Sequence, residues 1–427
     1  MVEEGTAHRW FYHEHHLLYG PMMNGLHEGA KAMGYEGRAI ETMRFTSAFA
    51  ASVTLFFFFL FCYKRYSLRP VSSLIATVLL GMTYGFWRYA GEAEIPVLAS
   101  SFMVASLYFA TSPGKRTAPF LLCAAFSVFA VLFHIMNAIA VFAAIPCYYL
   151  IKRDWKRMVL HLLLCGAAVW SVYAVVGSTH TVYAGGGINW SSLKLGSLIK
   201  ACVGFVECIV SCDFMLGFRS VRAFLGELFA GRMLLEEFYF GERLPRLHVL
   251  FSLFTFVLFN VLVVACFVRA AWMWKNRISD RSRFRLPEGF SGLAVAGIFF
   301  MGYAGLLLFV EPGNPELWIM GLAPFALLIC GLVILPLTVD YLLWLPFLTV
   351  LVLFMHNASA IRMLKDPARD YQQAKTASVL SLATPEDVVV TAGNPVFERY
   401  LRYHSPAPVV YLHDLSAEEL AKYTLPT

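Results

Sequence analysis

Ten apolar runs follow one another along this chain, several of them about as long as a membrane crossing, and they limit the folds that it can adopt. The runs cover about residues 46–63, 71–87, 97–110, 119–133, 138–151, 159–176, 249–268, 292–310, 317–335 and 341–354. A helix rises about 1.5 Å per residue, so about 20 apolar residues cross the roughly 30 Å hydrocarbon core of a bilayer. Because lipid offers no hydrogen bonds, each crossing segment must satisfy its own backbone. The sequence therefore predicts an α-helical polytopic membrane protein with about ten transmembrane helices.

The composition of the 427 residues agrees with this class. Hydrophobic residues make up 59% and charged residues only 15% of the chain, whereas soluble domains carry roughly 25% charged residues. The net charge of +6 comes from cations grouped in short loops between apolar runs, a pattern typical of topology signals rather than of a nucleic-acid surface. Nine cysteines lack the paired spacing of a zinc or redox site. These observations exclude nucleic acid as a partner and favour membrane lipid.

The distribution of basic residues predicts the orientation in the membrane. If the amino-terminal segment is external, the strongly basic short loops all face the cytoplasm. Those loops contain Lys64, Arg65, Arg69, Lys115, Arg116, Lys152, Arg153, Lys156, Arg157, Lys275, Arg277, Arg281, Arg283 and Arg285. No cleavable signal peptide is recognised, because the first apolar run begins near Phe45. We therefore expect a multi-pass protein of the plasma (inner) membrane, with its amino-terminal segment and carboxy-terminal fragment on the external or periplasmic side.

The chain divides into five predicted segments. They are an external amphipathic segment (1–44), transmembrane helices (45–177), an external loop with interfacial helices (178–246), further transmembrane helices (247–356) and a small external α/β fragment (357–427). The loop is not a simple span, because Glu207 and Asp213 interrupt its apolar run and a carboxylate at mid-bilayer costs several kcal/mol. In the last segment two short β-type runs flank a helical one, which is too little to close a core alone.

A dense group of polar residues, His13, Glu14, His15 and His16, lies within an aromatic and aliphatic run near the amino terminus. Carboxylates and histidines gathered at one place are expected parts of acid–base chemistry, so Glu14, His15 and His16 are the candidate catalytic residues. The alternative is an amphipathic interfacial helix with incidental histidines. A metal site is the weaker interpretation, because the adjacent His15 and His16 cannot share one helical face.

Further polar residues are predicted to converge on the same external face from the ends of separate helices. These candidate substrate-binding residues are Arg88, Glu92, Glu94, His134, Asn137, Glu311 and Asn314. An arginine can hold a phosphate through paired donors. For each residue taken singly, the plain alternative is a polar side chain at a helix end, where such residues are normal. Their common side favours a shared cavity.

Four groups of short motifs carry a resemblance to a known class. They are His15-His16-Leu17-Leu18-Tyr19 with Gly34-Tyr35, Phe86-Trp87-Arg88-Tyr89 with Glu92-Ala93-Glu94, Leu132-Phe133-His134 with Asn137, and Glu311-Pro312-Gly313-Asn314-Pro315-Glu316-Leu317-Trp318. With these motifs the region from about Tyr12 to Phe354 resembles the GT-C class of polytopic membrane glycosyltransferases. This class includes protein O-mannosyltransferases, aminoarabinose transferases and the catalytic subunit of oligosaccharyltransferase.

The resemblance implies an inverting transferase that takes a sugar from a polyprenyl-phosphate carrier. A carboxylate of an external loop would be the base for the acceptor, and basic groups would hold the leaving phosphate; whether a divalent metal takes part is left open. The class begins with a cytoplasmic amino terminus and one further span, so we expect this chain to lack the first transmembrane helix. Only Glu3, Glu4 and Glu14 remain as acidic candidates in its first external loop. The departure therefore predicts a truncated or inactive chain.

A function of another kind is a polyprenol or lipid transporter, or a non-catalytic membrane scaffold of the same fold. Transport favours broken, repeated helices with ionisable groups near the middle of the membrane. The polar residues of this sequence cluster instead at helix ends. We therefore predict a membrane glycosyltransferase that transfers a hexosyl or pentosyl group from a polyprenyl-phosphate donor to an acceptor on the external face.

Overall fold

The computed structural model describes residues 12–13, 15–114, 116–179, 195–228, 234–279, 290–337, 342–391 and 395–412. In these residues the α-helices are α1 (Tyr19–Ala32), α2 (Ala39–Lys64), α3 (Pro70–Gly81), α4 (Tyr84–Ala90), α5 (Ile95–Ala110), α6 (Thr117–Phe133), α7 (Ile145–Ile151), α8 (Trp155–Thr179), α9 (Leu195–Ile209), α10 (Arg219–Leu228), α11 (Leu234–Glu242), α12 (Arg246–Ser279), α13 (Phe290–Leu307), α14 (Pro315–Ile329), α15 (Leu335–Leu337), α16 (Trp344–Leu364), α17 (Tyr371–Leu380) and α18 (Pro395–His404). The strands are β1 (Val389–Thr391) and β2 (Val409–Tyr411). Tight 3₁₀ turns occur at Ile135–Asn137, Asp213–Gly217 and Pro367–Arg369, and π-helical turns at Ala140–Ala144 and Cys330–Ile334.

Five of the described helices are long and apolar enough to cross a membrane. They are α2, α8, α12 over Arg246–Asn276, α14 with its continuation to Leu337, and α16. α3 and α4 meet the same criterion only together, and they are bent by 72° at the break between them. Shorter apolar helices cover Ile95–Ala110, Thr117–Phe133, Ile135–Ile151 and Gly292–Leu307. The protein is thus a polytopic helical membrane protein, and the predicted number of crossings stays a prediction.

Contacts between residues divide the chain into two compact units. Unit 1 comprises Met1–Ser211 and Phe254–Asn357, and unit 2 comprises Cys212–Leu253 and Ala358–Thr427. Residues 212–253 therefore group with the carboxy-terminal residues. The segment boundaries drawn from the sequence at 178, 247 and 357 stay predictions.

α5 is the central helix of unit 1. Twelve of its 16 residues are buried, and it packs against α2, α6 and α14. Small side chains allow these helices to approach closely, since Ala99 and Ala105 of α5 and Ala130 of α6 are fully buried. This central helix is therefore held in place by three neighbours.

The break between α3 and α4 is fixed by a buried asparagine of α16. Thr83 is extended (φ −61°, ψ 140°), so the helical hydrogen-bond ladder is interrupted beside Met82. Asn357 is fully buried, and its Nδ2 donates to Met82 O at 2.7 Å and to Ile209 O at 3.1 Å. Its Oδ1 accepts from Ser211 N at 3.0 Å. Because lipid cannot satisfy backbone groups, this side chain is what permits a sharp bend inside a membrane segment.

The two ends of α5 and α6 differ in chemistry. Arg65 donates to oxygens at the carboxyl end of α5, and Arg157 donates to two backbone carbonyls just before α6. Glu94 precedes α5 and His134 follows α6 at the opposite ends of the same two helices. We call the end with Arg65 and Arg157 the basic end, and the end with Glu94 and His134 the site end. With a rise of 1.5 Å per residue, α5 separates them by about 24 Å.

Unit 2 contains the two strands, which pair in parallel with Val389 opposite Val409. α18 lies between them in the sequence and contacts β2 and α17. The buried apolar side chains around this helix include Phe397, Leu401 and Ala407. A two-stranded sheet needs such packing, because a pair of strands alone is marginally stable. The external location of this fragment stays a prediction.

Candidate functional site

The first side chain of the site is Glu94, at the point where the α4–α5 loop becomes α5. Glu94 is extended (φ −117°, ψ 143°), and Pro96 follows in the first helical turn, where a missing N–H costs little. Ser47 of α2 anchors its backbone, because the hydroxyl accepts from Glu94 N and donates to Glu94 O, each at 3.3 Å. The half-buried carboxyl of this anchored residue forms a side-chain hydrogen bond with Glu316.

Glu316 comes from the first turn of α14. Asn314 is the N-cap residue of this helix, and its Oδ1 accepts from Glu316 N at 3.0 Å while its Nδ2 donates to Glu311 Oε2 at 3.0 Å. Trp318 Nε1 donates to Pro312 O at 3.1 Å, which fastens the preceding loop to the helix. The cap therefore fixes Glu316 at a helix amino terminus, where the helix dipole favours a carboxylate.

The Glu94–Glu316 pair shares one proton. Two adjacent carboxylates repel each other, so one of them must be protonated for the hydrogen bond to form. Burial raises the pKa of Glu94 to about 9, and the charge of Glu316 adds to this effect. Glu94 therefore carries the proton at neutral pH and donates it to Glu316. Such a pair can both release and take up a proton.

Arg88 of α4 supplies a positive charge next to the pair. Its Nε lies 3.3 Å from Glu92 Oε1, in a half-exposed i,i+4 ion pair. The guanidinium lies 5.1 Å from the ring centroid of the buried Tyr89, a geometry that favours a cation. The charge of Arg88 also acts on Glu94 and Glu316. The site is thus acidic with one arginine held among its carboxylates.

Tyr19, the first residue of α1, joins the carboxyl pair to the histidines. Its hydroxyl donates to Ala93 O at 3.1 Å, next to Glu94 in the chain. Burial raises the pKa of Tyr19, and the charges of Glu94 and Glu316 raise it further. On its other side the ring meets His16 edge to face, with 6.5 Å between the ring centroids.

The histidine cluster consists of His13, His15, His16 and His134. His13 and His16 stack with ring centroids 4.3 Å apart, and His15 N donates to His13 Nδ1 at 3.1 Å. The backbone fixes the cluster against the end of α6, because Leu18 N donates to Leu132 O and Ile135 N donates to His15 O. Two segments that are more than 100 residues apart therefore present imidazoles to the same place.

Burial keeps two of these imidazoles uncharged. It lowers the pKa of His16 to about 4, with His13 and His15 as further causes. It lowers the pKa of the buried His134 to about 3, with the neighbouring histidines as further causes. A neutral imidazole has one donor and one acceptor nitrogen. His16 and His134 can therefore hydrogen-bond to hydroxyl groups at neutral pH without adding charge.

α9 packs closely against α4 and against the loop before α14, next to the two carboxyl groups. A side chain at Gly204 would come within 3.2 Å of the Pro312 and Gly313 backbone, and one at Gly85 would meet Cys208 Sγ at 2.4 Å. Glycine at these two positions lets α9 lie close to α4 on one side and to the loop before α14 on the other. The spacing of Arg88 and Glu316 thus depends on α9.

Most of the residues predicted from the sequence meet at the site end. His15, His16 and His134 form the cluster, and Arg88, Glu92, Glu94, Glu311 and Asn314 lie around the carboxyl pair. Asn137 is fully buried and donates to Ala130 O at 3.0 Å. Glu14 lies outside the described residues. Their catalytic and binding roles stay predictions.

Two residues of the site, Glu316 and Tyr19, were not predicted from the sequence as functional residues. Both stand in motifs that carry the class resemblance. The run Asn314-Pro315-Glu316 is a helix-start signature with an acidic first turn, which could have placed Glu316 at a helix end near Glu311. Among the described residues, no three His, Cys, Asp or Glu side chains are arranged to hold a metal ion.

Comparison with solved structures finds two similar chains. ArnT from Cupriavidus metallidurans bound to undecaprenyl phosphate has a TM-score of 0.45 and 14% sequence identity, over 96% of this chain and 77% of that chain. ArnT from the same organism in the apo state has a TM-score of 0.39 with the same identity and coverage. No protein-family model matches the chain, and no curated protein matches its sequence. The function therefore rests on the chemistry of the side chains.

Proposed function

We propose that this protein is a membrane glycosyltransferase that moves a hexosyl or pentosyl group from a polyprenyl-phosphate donor to an acceptor. The observation that carries the proposal is the Glu94–Glu316 pair, which shares one proton beside Arg88. Glycosyl transfer needs a base for the acceptor hydroxyl and a cation for the leaving phosphate. The site end provides both in one place, and its motifs are those that resemble the GT-C class.

The proton balance of the transfer fits the carboxyl pair. The acceptor oxygen bonds to the anomeric carbon of the sugar as the bond from that carbon to the phosphate oxygen breaks. The electron pair of the broken bond stays with the polyprenyl phosphate, and the acceptor proton passes to the ionised Glu316. The pair then holds two protons and returns one to water. Glu94, with its pKa near 9, keeps the pair from losing its shared proton at neutral pH.

Arg88 is the proposed phosphate ligand. Its guanidinium can donate two parallel hydrogen bonds to phosphate oxygens. Arg88 contacts Glu92 in a half-exposed pair of the kind that contributes little to stability. The phosphate group of the donor can therefore compete for the guanidinium at small cost. Arg88 would then stabilise the negative charge that develops on the leaving group.

The remaining residues of the site are proposed to bind hydroxyl groups of sugar or acceptor. Neutral His16 and His134 suit this role because they can donate and accept without attracting the phosphate. His15, Asn137, Glu311 and Asn314 stay proposed members of the same surface, and Glu14 stays a candidate base. The alternative to catalysis by Glu316 is catalysis by Glu14.

We also propose that the site end faces the external side of the membrane. Arg65 and Arg157 hold the opposite ends of α5 and α6, and arginines gather on the cytoplasmic side of membrane proteins. The donor lipid would then present its phosphate and sugar at the external surface.

The test follows sugar transfer from a polyprenyl-phosphate-linked donor in membranes that contain the full chain. Glu316→Gln and Glu94→Gln should each lower the rate about 10²- to 10⁴-fold, the usual effect of removing an acid–base group. Glu28→Gln is the matched control, because Glu28 pairs with Lys31 on the exposed surface of α1. Full activity of both site variants, with loss in Glu14→Gln, would move the base to Glu14. Absence of transfer by the wild type would refute the proposed function.

A transporter is the second candidate, and the break between α3 and α4 favours it. Bent, interrupted helices beside a protonatable pair are parts of proton-coupled transporters. The two functions separate in vesicles loaded with donor lipid. A transporter would move the intact lipid-linked sugar and leave its glycosidic bond whole, whereas a transferase would release polyprenyl phosphate.

A further inference from the structure

α12 carries an amide on a face that the helical bundle leaves uncovered. Asn260 is exposed and lies near the middle of the apolar run 249–268. Its Nδ2 donates to Phe256 O of the same helix at 2.8 Å. Within the described part of the chain, no other hydrogen bond to its carbonyl oxygen or its second N–H is formed. The amide is therefore only partly satisfied at the depth of the hydrocarbon core.

Lipid cannot complete the hydrogen bonds of Asn260. A polar group without partners in an apolar medium costs several kcal/mol. Membrane helices avoid this cost when asparagine side chains hydrogen-bond across a helix interface. Asn260 thus distinguishes this face of α12 from the other apolar outer surfaces, which lipid alone can cover.

The surface around Asn260 has the shape of a helix-pairing site. Phe256, Val257, Val261 and Val264 surround it in a depression of about 380 Å³. Exposed residues recur along this face at alternating spacings of three and four, namely Val257, Asn260, Val264 and Phe267. This is the spacing of a coiled-coil seam, and the short valines allow close approach of a second helix.

We propose that this face of α12 pairs with the same face of a second copy of the chain. Two copies inserted in the same orientation are related by a two-fold axis along the bilayer normal, so their α12 helices pair in parallel. Each Asn260 then meets the Asn260 of the other copy at the same depth. An amide is both donor and acceptor, so the two side chains satisfy each other. This self-complementarity selects a second copy over a different partner.

The first test measures energy transfer between differently labelled full-length copies in lipid vesicles over a range of protein-to-lipid ratios. The wild type should associate, and Asn260→Leu should weaken association about tenfold, the effect of losing about 1.4 kcal/mol. Asn260→Gln retains the amide and should keep most of the association. The matched control is Leu163→Ala, a lipid-exposed position on α8.

The second test does not require the Asn260 variants to fold. In Val264→Cys vesicles, the oxidant copper-phenanthroline should remove two electrons and two protons from two thiols and join the copies by a disulfide. Wild type, which controls for native cysteines such as the exposed Cys202, and Leu163→Cys should give no such dimer. No energy transfer in the wild type, equal transfer in Asn260→Leu, or association only with another protein would overturn the pairing. None of these outcomes depends on the proposed function.

Discussion

The carboxyl pair and the histidine cluster lie side by side at the site end, and burial shifts their titration in opposite directions. It raises the pKa of Glu94 to about 9 and lowers those of His16 and His134 to about 4 and about 3. The cause is the same, because surroundings of low polarity penalise a charge of either sign. The carboxyl pair is therefore most stable in acid, and the histidine cluster is most stable at higher pH.

This difference separates the roles that the two regions can play at neutral pH. The carboxyl of Glu94 keeps its proton at neutral pH beside Glu316, so the pair can take part in proton transfer. His16 and His134 are neutral and resist protonation, so they are suited to hydrogen bonding. This difference supports the proposal that Glu94 and Glu316 transfer the proton and that the histidines position the substrate.

The largest expected effect is on the carboxyl side. The folded protein keeps the Glu94 proton up to about pH 9, whereas the unfolded chain releases it near the ordinary value of 4.5. Stability should therefore fall as pH rises through this window, by about 3 kcal/mol after allowance for solvent screening of a half-buried group. Glu94→Gln, whose amide can still donate to Glu316, should remove most of this fall. Thermal unfolding in detergent from pH 5 to pH 10 measures it.

Glu92→Gln is the control for Glu94→Gln, since it removes a carboxyl two residues away on the same loop. If both substitutions flatten the pH dependence equally, the effect belongs to the general acidity of the loop. If neither substitution flattens the pH dependence, the hypothesis that Glu94 and Glu316 share a proton is wrong.

A smaller effect of opposite sign is expected on the histidine side. The pKa of His134 is lower in the folded protein than its ordinary value of 6.5, so its contribution to stability is complete above pH 6.5 and is lost as pH falls. By pH 5 the loss should reach about 2 kcal/mol. His134→Asn should reduce it, because the Asn Oδ1 can replace His134 Nδ1 as the acceptor for Met136 N. Unfolding between pH 5 and pH 7.5 measures the change, with the buried His27→Asn as control.

Hydropathy predicted the helices better than it predicted their breaks. The run predicted at 119–133 is close to α6 (Thr117–Phe133), and the interruption at His134 was visible as a polar residue between apolar runs. The run predicted at 71–87 is instead broken into α3 and α4. Its apolar pattern is continuous, and the side chain that fixes the break, Asn357, is 275 residues away from Met82. Such a partner is not readable from local sequence.

The sequence predicted individual residues of the site but not the pairing of Glu94 with Glu316. Arg88 and Glu94 were predicted as site residues because polar side chains at helix ends are conspicuous in an apolar chain. Glu316, the partner of Glu94, was not predicted as a site residue. Glu316 follows Glu311 in the same motif, and only the N-cap of α14 and the contact of α9 with the preceding loop decide which of the two reaches Glu94.

The smallest expected effect concerns Tyr19, which touches both regions. Tyr19→Phe removes the hydrogen bond to Ala93 O and leaves the ring against His16, so stability should fall by about 1 kcal/mol. The loss should be the same at pH 6 and pH 8, because the raised pKa of Tyr19 keeps the hydroxyl protonated throughout this range. Tyr35→Phe is the matched control, since its hydroxyl is exposed and its loss should cost less. Denaturant unfolding at both pH values measures each variant. A change in either pH slope in Tyr19→Phe would mean that the tyrosine couples the two titrations, and the carboxyl pair and the histidine cluster would then have to be treated as one system.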